Sequence, residues 1–580
     1  MTDVLAVKRH FITVPHGRFG ARQVHYLRAG RGPCLLLFHQ SPLSSRDLLP
    51  TIEKWKHQFT CIAPDTPGYG LSDPFGVDEV EMDDIADGVI EFADALGIGS
   101  FGTYGFHTGA MIAAALAARF PERITGTVAD GYLVPSEATR ADLVAHYLPK
   151  FEPRWDGSHL VWLWARLREQ RIFFPWYRPE LANRLDFDVA TPEALQSAVV
   201  DFLRSGDNYR VAYRAAFTFR SDLALERVSG PMLVTANKAD PLHADLDHIH
   251  RHGPNVEVRR DAGLGETPAH CRDFLQRHPA PEPPPPPPVA PLAGNMWQQW
   301  VDLPDGQIRV RRNTDAPGRV VVILHGAVGS SDTVAAISRS FIGRRPVLAI
   351  DLPGHGESDR APAPAEVTVE RQAQAVRQIL DAIGIGEVDV CGFSGGGLIG
   401  LQMCLDEPTR VRHLVLGSVP WFDEALRNQL LAEAARPIEV DWYGGHLLLC
   451  WHTVRDQGLF RPGYRRDRQG ILWQPPRIDP VSVQERVTEM FKSPEAFRNA
   501  TRAHLSYPLQ ERLPLADVPV LLCAPDWDPH LLHTREAARA NRHCRLLELP
   551  DSEADWGRAL LPFLDSPDAS STKMPRNVPG

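Results

Sequence analysis

Paired cysteines are missing from this 580-residue chain. Its eight cysteines stand singly and never as CxxC, which excludes a disulfide scaffold and the common zinc frameworks and fits a reducing interior. No run approaches the roughly 18 apolar residues that suggest a membrane helix. The opening residues, MTDVLAVKRHFITVPHG, carry no apolar core of a secretory signal, so a cytoplasmic protein without a membrane partner is expected. Positive charge is also in deficit. The formal net charge is −10, which argues against a phosphate-tracking surface and a nucleic-acid partner. Metal-ligand spacings are absent, and the glycine run Gly395–Gly397 lacks the later acidic partner of a dinucleotide site. No cofactor is expected.

What the chain has in abundance is proline, much of it in HPAPEPPPPPPVAPLAG, residues 278–294. Such a run favours an extended rod that spaces domains. The stretches on either side of it are copies of each other. LLLFHQSPLSS answers VVILHGAVGSS, and PDTPGYGLSDP answers IDLPGHGESDR. YGFHTGAM answers CGFSGGGL, and PMLVTANKADP answers PVLLCAPDWDP, in the same order and nearly the same register. Between Trp155 and Tyr177, ten positions are identical to those between Trp442 and Tyr464. The chain is a tandem duplication.

Within each copy, short apolar runs alternate with amphipathic segments such as MDDIADGVIEFADALG. Buried parallel strands read as continuous apolar runs, and helices cover both faces of such a sheet. The alternation stops near 134 and 421, where a helix-rich stretch begins, and resumes at PMLVTA and PVLLCA. The expectation is an α/β protein of two doubly wound domains, mostly parallel, each with a helical cap. Domain 1 is placed at 1–277 with its cap at about 134–228. Domain 2 is placed at 295–565 with its cap at about 421–516. Residues 278–294 are the linker and 566–580 a disordered tail. A pseudo-dimeric arrangement of the halves is the natural product of duplication.

LHG after an early strand, DLPGHGES, the GFSGG turn and a late aspartate in DWDP together resemble the α/β-hydrolase superfamily, over nearly all of both copies. The resemblance implies a nucleophile elbow, a tight strand-to-helix turn framed by glycines. In the second copy Ser394 takes the nucleophile position, and Gly395 and Ala327 offer the oxyanion N–H groups. In the first copy His107 stands there, 287 positions earlier. A histidine in that place either works as acid, base or nucleophile, or merely fills the pocket.

The resemblance also requires an acid and a later histidine. Asp240 and Asp528 supply the acid, with Asp526 an alternative to the latter. The histidine position is empty in both copies, since DAGLGETPAH and PDSEADWG follow the last strands and His270 comes late. His159 and His446, in the cap block and also 287 apart, are the substitutes expected to reach the elbows. Arg168 and Arg455 in the same block either hold a substrate carboxylate or face solvent. His39 and His325 brace the oxyanion loop.

The functional expectation is a cofactor-independent hydrolase of a small organic ester, lactone, thioester or β-diketone. Ser394 would attack, assisted by His446 and Asp528. His107, His159 and Asp240 would form a two-imidazole acid/base site. Two other classes share these residues: a cofactor-free lyase, isomerase or decarboxylase, and a non-catalytic ligand-binding or scaffold pair.

Overall fold

The computed structural model describes residues 5–261, 263, 265–359, 367–433, 438–541 and 543–567. The expected tail, 566–580, therefore lies almost wholly outside the described residues. Two compact units divide the chain, chiefly at the Ala290–Pro291 junction, with Trp155–Gly157 assigned to the second unit and Trp442–Gly444 to the first.

The first unit is built on eight strands: β1 (Lys8–Val14), β2 (Arg22–Ala29), β3 (Cys34–Phe38), β4 (Thr60–Pro64), β5 (Phe101–Phe106), β6 (Ile124–Asp130), β7 (Met232–Asn237) and β8 (Val256–Asp261). Their order across the sheet is β1-β2-β4-β3-β5-β6-β7-β8. The β1–β2 and β2–β4 pairs are antiparallel and the rest parallel. The apolar runs explain this. Every residue of Cys34–Phe38 and Thr60–Pro64 is buried, as a strand covered on both faces requires.

The second unit repeats the plan with β9 (Trp297–Leu303), β10 (Gly306–Asn313), β11 (Val320–Leu324), β12 (Val347–Ile350), β13 (Val388–Phe393), β14 (Val411–Gly417), β15 (Val520–Pro525) and β16 (Arg545–Leu549). Its order, read from the opposite edge, is the same. One face of this sheet packs Leu324, Val390, Leu398 and Leu414 into a core, and the other packs Ile323, Cys391, Val415 and Leu560. Each such side chain contributes roughly 1.5–3 kcal/mol of burial.

Between β6 and β7 the first unit inserts helices Glu137–His146, Ser158–Gln170, Pro192–Ser205 and Tyr209–Thr218. Between β14 and β15 the second inserts Glu424–Glu433, Gly445–Asp456, Pro480–Lys492 and Pro494–Ser506. These are the caps. Among the described residues no helix is long and apolar enough to cross a membrane.

The proline-rich segment departs from the spacer expected of it. The Cys34 N–H donates to Pro281 O at 3.1 Å, and Arg28 Nη2 donates to Pro284 O at 2.7 Å. Proline lacks an N–H but keeps a strong carbonyl acceptor, so a proline run can still dock along an open backbone edge. The segment to Ala290 belongs to the first unit.

Candidate active sites

Each fifth strand of a unit ends in the tight turn that the motifs imply. His107 (φ 49°, ψ −109°) precedes the helix Thr108–Arg119, and Ser394 (φ 52°, ψ −120°) precedes the helix Gly395–Asp406. Positive φ strains a residue with a Cβ, and such strain persists only where the surroundings impose it. Here the sheet does so: His107 N–H donates to Asp130 O at 3.0 Å and Ser394 N–H to Gly417 O at 2.8 Å. The flanking glycines are obligatory for lack of room. A Cβ on Gly109 would lie 2.0 Å from Phe38 O, and one on Gly396 would lie 2.3 Å from Leu324 O.

The first elbow points a complete pair into a cavity of about 280 Å³. His107 Nε2 and Asp240 Oδ2 lie 2.9 Å apart. Burial pulls the imidazolium down, but the Asp240 carboxylate outweighs it and holds His107 above its ordinary value. Burial pushes Asp240 up, and His107 beside it brings the carboxyl below the usual range. Asp240 Oδ1 accepts from Leu242 N–H at 2.8 Å, which fixes the acid. Ser41 N–H, on the oxyanion loop, donates to Thr108 Oγ1 at 3.3 Å.

The acid in the second unit is placed alike but engaged otherwise. Asp528 Oδ1 accepts from His530 N–H at 2.6 Å, as Asp240 does from Leu242. Its other oxygen accepts from the hydroxyl of Ser418 in a short hydrogen bond. No imidazole contacts it through a side-chain hydrogen bond among the described residues. Burial raises its carboxyl above the ordinary value.

The residue that does reach the second elbow is His504, on the cap helix Pro494–Ser506. Its Nδ1 would lie 1.9 Å from a Cβ on Gly395, so the ring rests on the glycine beside Ser394. Its Nε2 lies 3.1 Å from Gln372 Oε1, and in the tautomer that donates Nε2–H to this oxygen the Nδ1 lone pair faces the elbow. Burial, then His325, lowers His504 to about 3. Ser394, Gly395, Ala327, His504 and His530 line one cavity of about 170 Å³. His530 Nδ1 accepts from Arg461 Nη2 at 2.7 Å, and burial reinforced by Arg461 drives its pKa far down.

The two cap histidines of the duplicated block stand elsewhere. His159 Nδ1 accepts from Arg154 N–H at 3.0 Å, and its ring packs on Phe151. His446 Nδ1 lies 3.4 Å from Asp441 Oδ2, and its ring packs on Phe491. Neither lines the cavity of its unit. Both sit at the start of a cap helix, which accounts for their repetition without a reaction: each ring nitrogen meets an N–H in the turn before the helix. Contrary to expectation, the imidazole placed at the Ser394 turn is that of His504 and not His446, and the group bonded to His107 Nε2 is Asp240 and not His159.

His270 pairs with Asp261 at 2.8 Å, Asp526 is exposed, and Arg168 pairs with Glu169 at 3.1 Å. His39 and His325 brace their loops, each Nδ1 donating to the next carbonyl while Nε2 accepts from Thr66 N–H or Leu352 N–H. His504 carried no signal in the sequence. It lies 110 residues from Ser394 on a helix without a motif, and its counterpart in the first copy is Ala216.

The family model for the alpha/beta hydrolase fold matches residues 33–259 and 319–447, more than half of the chain. The protein belongs to that family, with two copies of the fold in tandem. It is 34% identical over 131 residues to the dihydrolipoyllysine-residue acetyltransferase component of the acetoin cleaving system of Cupriavidus necator, covering 22% of this chain and 34% of that protein. It is 33% identical over 109 residues to haloalkane dehalogenase 2 of Mycobacterium bovis, covering 18% and 37%. The chain thus matches little more than a third of either relative's length. Among solved structures, the enol-lactonase of Burkholderia xenovorans LB400 aligns at 18% identity and a TM-score of 0.35, over 46% of this chain and all of that one.

Proposed function

We propose that the chain is a cofactor-independent hydrolase of a small ester, lactone, thioester or β-diketone, and that the reaction runs in the second unit with Ser394 as nucleophile and His504 as base. The supporting observation is that the strained Ser394 turn with Gly395, Ala327 of the oxyanion loop and His504 share one small cavity. A serine hydroxyl is a poor nucleophile without an adjacent base, and His504 meets that need where Asp528 and His446 do not.

In the first half, Ser394 Oγ bonds to the substrate carbonyl carbon while its proton passes to His504 Nδ1. The carbonyl π pair moves onto oxygen, against the N–H groups of Gly395 and Ala327. Collapse breaks the bond to the leaving group, which takes the proton from Nδ1. Water repeats the sequence on the acyl-serine, releases the acid and restores Ser394.

A second reaction is favoured by the 2.9 Å pair in the first unit. With Asp240 on Nε2, His107 offers Nδ1 for proton transfer, which suits a lyase or isomerase step better than acyl transfer.

Labelling with a fluorophosphonate, with the modified residue located by mass spectrometry, tests the main reading. Label is expected on Ser394, slowed about 10²–10⁴-fold in His504→Ala by loss of the base and nearly unchanged in His446→Ala. Label elsewhere, or at full rate without His504, would refute it.

A further inference from the structure

The cavity of the first unit holds a cation that neither reaction uses. Arg171 follows the cap helix Ser158–Gln170 and lines the cavity together with His107 and Asp240. Among the described residues its guanidinium forms no side-chain hydrogen bond or ion pair. Asp47 feels its field. That carboxyl accepts from Gln40 Nε2 at 3.0 Å, and burial raises its pKa, so it is a reluctant counter-charge. Both oxygens of Asp240 are engaged, Oδ2 with His107 and Oδ1 with Leu242 N–H, so this carboxylate does not pair with the guanidinium.

Much of the remaining wall is apolar, beside the polar side chains of Gln40, Gln170 and Asn237. Leu167, Phe174, Leu185, Phe187 and Phe217 line it, and Phe187 remains 40% exposed. The Tyr213 hydroxyl donates to Tyr147 Oη at 3.3 Å. The duplication supplies an independent control. Gln170 and Phe173 recur in the second copy as Gln457 and Phe460, but Arg171 is replaced by Gly458. The cation at this position is therefore particular to the first copy, whereas the second cavity has Arg427 at a different place in its lining.

We infer that the first unit binds a small amphipathic monocarboxylate, the carboxylate on Arg171 and the hydrocarbon body against Phe174, Phe187 and Phe217, within reach of His107. A planar guanidinium pairs with a carboxylate through two parallel N–H bonds, and a mainly apolar pocket with few polar groups orients such a ligand by that one end. The inference holds whichever reaction Ser394 performs.

Calorimetric titration of the full-length protein with hexanoate, octanoate and 3-phenylpropionate, each beside its primary amide, tests it. At least one acid is expected to bind saturably and at least tenfold more tightly than its amide. Arg171→Gln should abolish that preference with an unchanged melting temperature, and Arg171→Lys should retain part of it. Saturable binding by none of the acids, equal binding of acid and amide, or a preference that survives Arg171→Gln would each overturn the inference.

Discussion

Two exchanges of side chains separate the elbows. Gly131 in the first unit corresponds to Ser418 in the second, and both have positive φ, 69° and 55°. A Cβ on Gly131 would lie 2.3 Å from His107 Cδ2 and 3.3 Å from Asp240 Oδ2. The absent side chain is what lets the imidazole reach the acid. In the second unit the Ser418 hydroxyl meets the corresponding acid, and the elbow residue is the smaller serine. The other exchange sets Thr108 with Ala216 against Gly395 with His504: where the residue after the elbow has no side chain, an imidazole takes the space. Gly131→Ala is thus expected to break the His107–Asp240 bond. In proton-nitrogen spectra His107 should then titrate near or below its ordinary value of 6.5 rather than above it. In the wild type the folded pKa lies above the unfolded one. The stability this group contributes is therefore complete below 6.5 and fades as pH rises through the folded value. A titration unchanged by the substitution would contradict this account of Gly131.

Asp130, behind the first elbow, behaves in the opposite sense. Burial, then Asp240, pushes its carboxyl up to about 7, and Oδ1 has no hydrogen-bond partner, although Tyr104 donates to Oδ2 at 3.0 Å. An acid raised on folding destabilises progressively as pH climbs from its unfolded value to the folded one. Asp130→Asn should raise the melting temperature at pH 8 and leave it nearly unchanged at pH 4. The counterpart, Gly417, shows that the turn forms without a carboxylate. Thermal unfolding at the two pH values decides it.

At the level of elements, most of the fold was legible because burial on both faces writes parallel strands as unbroken apolar runs. Val320–Leu324 is such a run, Val388–Phe393 is one broken only by Asp389, and the glycines around them marked both turns. The groups around the elbows were less legible. Asp240 follows its strand at once and was found, whereas His504 reaches Ser394 only through the folding of the cap, which no local pattern encodes. The cap histidines misled for a physical reason: a residue repeated to organise a helix start looks the same in sequence as one repeated for chemistry. The proline run also hid a contact, since its composition speaks of stiffness and not of what its carbonyls accept. If Pro281 O holds the Cys34 amide, that amide should exchange with solvent as slowly as its neighbours in β3. Fast exchange at Cys34 alone would show the segment to be detached.

For the molecule as a whole, duplication has produced two versions of one framework with different groups at the elbow: imidazole on carboxylate in the first unit, hydroxyl beside imidazole in the second. The low pKa of His504, about 3, gives the second site a distinct signature. Its base is already neutral at pH 5, so acylation of Ser394 should be nearly independent of pH from 5 to 8. A base of ordinary pKa, roughly 6.5, would add a rising limb across that range. Pre-steady-state release of 4-nitrophenol from its acetate ester, followed through this interval in wild type, His504→Ala and His446→Ala, tests the claim most directly. The account predicts a flat burst rate in wild type, its loss in His504→Ala and its retention in His446→Ala. A burst that survives without His504, or that vanishes without His446, would contradict it.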